Sequence, residues 1–132
     1  MHPLQAMVNG MAANWQAERA DTQMTLGELI DRLEEMDPTV MIKGFGEPHS
    51  YRGYYVDLAF ETMPDPIRVI DALLMCRDAM GREFEGYKGG DFVMGCNTPL
   101  WIAAYGCCGT RIMAISDDGT MTLEDEPCEF IS

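Results

Sequence analysis

The sequence predicts an α+β fold: a small, mostly antiparallel sheet with two or three helices packed on it. Three observations predict it. Two stretches carry an apolar stripe at helical spacing together with their own start and stop signals. Between and after them lie short apolar or alternating runs, too brief for helices and separated by glycine-containing turns. Finally, Asp118-Gly119 stands between two alternating runs, a strong hairpin signal and hence an antiparallel one. At 132 residues the chain is one domain of ordinary size, 1–132, long enough to bury a core that spans 24–123.

Residues 1–22 place Leu4, Met7, Val8, Met11 and Trp15 on one helical stripe. Such a helix docks on its own core or is given to a neighbouring subunit in an oligomer; the third reading is a frayed leader upstream of an internal start at Met24. Thr25-Leu26-Gly27-Glu28 fits a capping box, and the helix it opens puts Leu26, Leu29, Ile30 and Leu33 inward. Asp37-Pro38 ends it, because the residue before proline avoids helical geometry. Residues 39–45 then read as a strand. From Tyr54 to Glu61 the chain alternates, with Tyr54, Val56, Leu58 and Phe60 on one face and Tyr55, Asp57, Ala59 and Glu61 on the other, as in a strand with one buried side. Asp65-Pro66 is expected to open a second helix, with Val69, Leu73, Cys76 and Met80 as its stripe, joined by Ile70 and Leu74. Gly81 suits its left-handed cap. Residues 99–105 are nearly all apolar and read as a central strand buried on both faces.

The formal net charge is −13, which argues against binding long nucleic acid, since phosphates would be repelled over most of the surface. No run reaches the roughly 18 apolar residues of a membrane span, and no basic region followed by an apolar core marks a secretory signal. Five cysteines (Cys76, Cys96, Cys107, Cys108, Cys128) form no CxxC, so the expectation is reduced thiols in a cytoplasmic protein. His2 and His49 have no ligand spacing with the thiols, so no metal site is expected.

Two stretches concentrate recognition chemistry. Pro48-His49-Ser50-Tyr51-Arg52-Gly53-Tyr54-Tyr55 gathers three tyrosines, a histidine and an arginine in eight residues. Aromatic faces with an arginine fork suit a planar base and its phosphate or ribose. A strand entrance with half-buried tyrosines is the plain structural alternative. The second stretch is Glu85-Gly86-Tyr87-Lys88-Gly89-Gly90-Asp91-Phe92, where glycines permit close backbone approach around Tyr87 and Lys88; it is equally a hairpin. It lacks the GxxxxGK[ST] of a P-loop. Arg111, near a strand end, could join the two. For catalysis, Ser50 beside His49 in sequence does not make a nucleophile–base pair, and GxSxG is absent. The expected class is a receptor without catalytic residues and without a cofactor.

The order Thr25-Leu26-Gly27-Glu28-Leu29-Ile30, Ser50-Tyr51-Arg52-Gly53-Tyr54-Tyr55 before Leu58-Ala59-Phe60, Gly86-Tyr87-Lys88-Gly89-Gly90-Asp91-Phe92, Thr98-Pro99-Leu100-Trp101 and Tyr105-Gly106 resembles the first described family of phage Thoeris anti-defence proteins. The likeness covers roughly residues 24 to 116. It implies a non-enzymatic α+β sponge, acting in the cytoplasm of an infected bacterium, that sequesters the cyclic ADP-ribose isomer made by TIR-domain enzymes. It further implies a homo-oligomer, dimer or hexamer, with the pocket at a subunit boundary. Some members also trap cyclic trinucleotides, which the strong acidity here disfavours. By the same resemblance Arg52 would bind phosphate or ribose, Tyr87 or Phe92 would stack on the base, Asn97 and Thr98 would offer hydrogen bonds, and Arg111 would clamp the pyrophosphate. The ligand set thus expected is His49, Ser50, Tyr51, Arg52, Tyr54, Tyr87, Lys88, Phe92, Asn97, Thr98 and Arg111. The competing reading from charge is an acidic inhibitor that mimics nucleic acid and binds a host defence protein directly.

Overall fold

The computed structural model describes residues 23–51, 54, 56–86, 89–103 and 109–125. The proposed N-terminal helix, Arg52, Tyr55, Tyr87, Lys88 and the Cys107-Cys108 turn lie outside the described residues. Among those described, the fold is α+β, with two helices and nine strands. Five strands form the main sheet: β2 (Pro48–Ser50), β3 (Leu58–Phe60), β7 (Leu100–Ile102), β8 (Thr110–Ile115) and β9 (Met121–Asp125), adjacent in that order. Every pairing in it is antiparallel except β3 with β7. Two small ribbons complete the fold. One joins β1 (Met41–Ile42) to β4 (Ile67–Arg68), the other joins β5 (Glu83–Glu85) to β6 (Asp91–Val93).

Helix α1 (Leu26–Glu35) begins with the reciprocal cap expected of it: the Glu28 N–H donates to Thr25 Oγ1, and Glu28 Oε1 accepts from the Thr25 N–H at 3.1 Å. Such a cap contributes about 1 kcal/mol. Its four stripe residues are buried. Arg32 then ties the helix to the sheet, donating to the Ile115 carbonyl and pairing with Asp117 at the hairpin beyond.

Helix α2 (Val69–Ala79) corrects the expected start. Asp65-Pro66 does not open it; Ile67 and Arg68 pair with Ile42 and Met41 instead, and Arg68 becomes the N-cap. A strand partner more than twenty residues away overrides the local Asp-Pro signal. The stripe is also rotated: Ala72 and Ala79 are buried beside Val69, Leu73 and Cys76, whereas Leu74 is exposed. Gly81 follows at φ +77, as expected of the residue after the cap. Burial pushes the Cys76 thiol up to about 12, so it stays protonated and serves as a small apolar side chain.

The expected strand over 39–45 shrinks to the two residues of β1. Strand β3 differs more. All three of its residues are buried, because the parallel neighbour β7 places it inside the sheet rather than at a half-exposed position. Strand β7 is buried on both faces, as the sequence indicated, with Ala103 continuing the burial. The hairpin at Asp118-Gly119 is present, with Gly119 at φ +88 joining β8 to β9.

Register then sorts the sheet into two faces. Leu58, Leu100 and Ile112, with Phe60 and Ile102, join the helices in one aliphatic core, where Phe45 stacks on Phe60. The opposite face carries a separate buried cluster of Tyr51, Ala59, Trp101 and Ala103.

Candidate functional site

The candidate site grows from one cross-sheet row. His49 pairs with Ala59, Ala59 with Trp101, Trp101 with Arg111 and Arg111 with Glu124. Directly opposed residues project to the same face, so this row sets a histidine and an arginine on either side of a tryptophan, across the small Ala59. Tyr51, two residues beyond His49, lies over the tryptophan with ring centroids 4.4 Å apart and planes 14° from parallel. Tyr54 leans on both rings, 6.1 Å from Tyr51 and 5.9 Å from Trp101, and is 37% exposed.

Directed hydrogen bonds hold this shelf. The Trp101 Nε1–H donates to Asp57 Oδ2 at 2.9 Å, and the Gly109 N–H donates to the Tyr51 hydroxyl at 2.9 Å. The loop between β2 and β3 closes on itself, with the Tyr51 N–H bonded to the Asp57 carbonyl and the Asp57 N–H to the Tyr54 carbonyl. Gly109 is required by proximity: a Cβ there would lie 2.8 Å from Tyr51 Cε1. The expectation of one buried side is corrected here, since Asp57, on the face opposite Leu58, is itself fully buried and accepts from the tryptophan indole. It is the residue that sequence reasoning missed. The available signal was a carboxylate just before an apolar run in a chain with a tryptophan on another one.

The other predicted residues sort by location. His49 is half-buried, its Nδ1 3.0 Å from the Ser50 carbonyl and its Nε2 3.0 Å from Glu61 Oε1. That second distance suits an ion pair when the ring is protonated, although it is not a well-directed hydrogen bond. Ser50 is buried opposite Leu58, on the helix side. Phe92 pairs with Phe84 in the β5–β6 ribbon and packs partly against the main core. Strand β5 lies beside β2, so this ribbon neighbours the strand that carries His49. Thr98 is buried in a turn, its Oγ1 accepting from the Gly95 N–H at 2.8 Å and its carbonyl from the Leu26 N–H, while Asn97 is exposed beside it. Because β3 and β7 run parallel, Asn97 and Thr98 share the sheet end occupied by the Tyr51–Asp57 loop.

Electrostatically the described surface has few cations to spare. Arg32, Arg68, Arg77, Arg82 and Arg111 each sit within ion-pair distance of a carboxylate. Arg111 holds Glu124 at 3.6 Å, and that partner is more than half exposed. A surface pair of this kind is worth at most about 1 kcal/mol, so an incoming anion can replace the carboxylate. Among the described residues no cluster of His, Cys, Asp or Glu is arranged to hold a metal ion, and no helix is long and apolar enough to cross a membrane.

Compared with known protein families, curated proteins and solved structures, the chain matches none.

Proposed function

We propose that the chain is a non-catalytic receptor that sequesters a cyclic ADP-ribose-type signal, as its resemblance to Thoeris anti-defence proteins implies. One observation carries the reading: the Tyr51–Trp101–Tyr54 shelf, fixed by the hydrogen bonds to Asp57 and Gly109, with His49 and Arg111 in its row. Tyr51 and Trp101 are buried supports, so Tyr54 supplies the stacking face. A base stacked on an aromatic ring is worth about 1–3 kcal/mol. Arg52, two residues before Tyr54 in sequence, and Arg111 then meet the phosphates. The site works by shape and charge, with no bond made or broken.

The test is calorimetric titration of the cyclic ADP-ribose isomer into wild type, Tyr54→Ala and Arg52→Ala, with thermal unfolding in parallel. Losing a charged hydrogen bond to phosphate costs roughly 2–5 kcal/mol, so Arg52→Ala should weaken binding about 30-fold or more at unchanged stability. Equal affinities for all three proteins would remove this loop from the site. Ligand recovered from heat-denatured protein after co-expression with a TIR enzyme should be unaltered; a steady accumulation of product would mean catalysis.

A second reading rests on charge. With −13 overall and five described arginines already matched, the acidic surface suits a nucleic-acid mimic that binds a basic host protein. Such binding collapses at high salt, whereas a desolvated nucleotide pocket keeps its ligand.

A further inference from the structure

We propose that the outer edge of β9, with the groove beside it, receives an extended segment of a partner protein as a sixth strand, one that alternates apolar and basic residues. The proposal is argued from the edge of the sheet and not from the aromatic shelf, and it meets the nucleotide reading at one residue, Glu124, which pairs with Arg111.

Strand β9 ends the five-stranded order, and no hydrogen bond to its described residues comes from the side away from β8. Alternate N–H and C=O groups therefore face outward over five residues, a long edge for this fold. At the opposite end of the sheet β2 is also an edge strand, with β5 of the small ribbon close by but not paired to it.

Next to the open edge, on the helix side, is a groove of about 360 Å³. Met41 and Lys43 form one wall; Asp118, Thr120, Met121 and Leu123 form the other. Met41 and Leu123 are 45% and 42% exposed, so apolar surface faces water on both walls. Gly119 closes one end against Met41: a Cβ there would lie 2.2 Å from the Met41 carbonyl oxygen.

The pattern of the guest follows from the two faces of β9. Leu123 pairs with Ile112 on the helix side, so guest residues on that side enter the groove and must be apolar. Lys43 and Asp118 line the same groove with opposite charges, so it offers a guest residue no net charge and its apolar surface from Met41, Met121 and Leu123 decides. Glu124 projects to the other side, 3.6 Å from Arg111 and more than half exposed, so basic guest residues facing it share the acid with that arginine. Main-chain bonds along an edge supply affinity and alternate side chains supply selection.

The probe is a fluorescein-labelled, blocked peptide of sequence Lys-Val-Lys-Ile-Lys-Val-Lys, titrated by anisotropy into the full chain. Two peptides serve as comparisons: one N-methylated on alternate amides with its charge intact, the other with glutamate replacing lysine. Each should bind at least about tenfold more weakly. Leu123→Arg, an exposed change, should reduce binding of the parent peptide by a similar factor, and amides of 121–124 should gain hydrogen-exchange protection on binding. Equal affinity for the N-methylated peptide would mean charge attraction alone and overturn the proposal, as would no binding of any peptide. A concentration-dependent dimer that protects the β9 amides and excludes the peptide would assign the edge to a second copy, and overturn it too.

Discussion

The two faces of the central sheet are built by different rules. On the helix side, Leu58, Leu100, Ile102 and Ile112 meet the stripes of α1 and α2 through contacts that any well-shaped aliphatic side chain could make. On the other side a tyrosine and a tryptophan, packed with two alanines, are fixed by hydrogen bonds to a buried carboxylate and from a glycine amide. The difference teaches where specificity lies: one face holds the fold together, and the other dictates one arrangement of rings. Two directed hydrogen bonds to the rings are more than close packing alone requires.

The largest expected effect breaks the aromatic face. Trp101→Ala removes the ring on which Tyr51 and Tyr54 rest and the donor to Asp57, and should cost about 3–5 kcal/mol in chemical denaturation. Leu100→Met, one residue along and facing the helices, conserves volume and should cost less than about 1.5 kcal/mol. Similar losses for both would mean that the two faces are equally tolerant and that the shelf has no special order.

A sharper test isolates the shelf's closest contact. Gly109→Ala places a methyl group 2.8 Å from Tyr51 Cε1 and 3.2 Å from the Ile102 carbonyl oxygen. The stacked ring cannot retreat without disturbing Trp101, so the expected cost is about 1–3 kcal/mol. In a Tyr51→Leu background the same substitution should cost appreciably less, since its neighbour is gone. Identical costs in both backgrounds would place the strain on the backbone and not on the ring.

Local features of this fold were legible in the sequence and distant partnerships were not. Thr25 with Glu28, and Asp118-Gly119, act within four residues, so their cap and turn are written in neighbouring side chains. Ile67-Arg68 reads as the lead-in to a helix until Met41-Ile42 is known to lie alongside. Asp57 reads as one more acid in an alternating run, because its reason for burial is an indole 44 positions away. The tyrosines were visible as an aromatic concentration, but which of them supports and which is presented depended on the register of β2, β3 and β7. Arg52, Tyr87 and Lys88 remain assigned by sequence and resemblance alone.

The smallest expected effect concerns acid. The hydroxyl of Ser116, followed by the N–H and hydroxyl of Thr120, holds the Asp118 carboxyl below its ordinary value of 3.8, and Asp37 is lowered in the same way by Thr39. Both are exposed turn residues, remote from the aromatic face. A carboxyl whose folded pKa lies below its unfolded one binds its proton more readily in the unfolded chain. Its contribution to stability is therefore present in full above the unfolded value and is lost as pH falls through the folded value. The measurement is the melting temperature of wild type and Asp118→Ala between pH 6 and pH 2.5, a range chosen roughly to bracket the ordinary carboxylate value. Wild type should melt higher near pH 6, and the gap should narrow as the pH drops below 3.8. A gap that stays constant through that window would show that Asp118 acts through packing at the turn and not through its charge. Because the turn belongs to the β8–β9 hairpin, the same titration should leave the stacking of Tyr51 on Trp101 unaltered until the sheet itself opens.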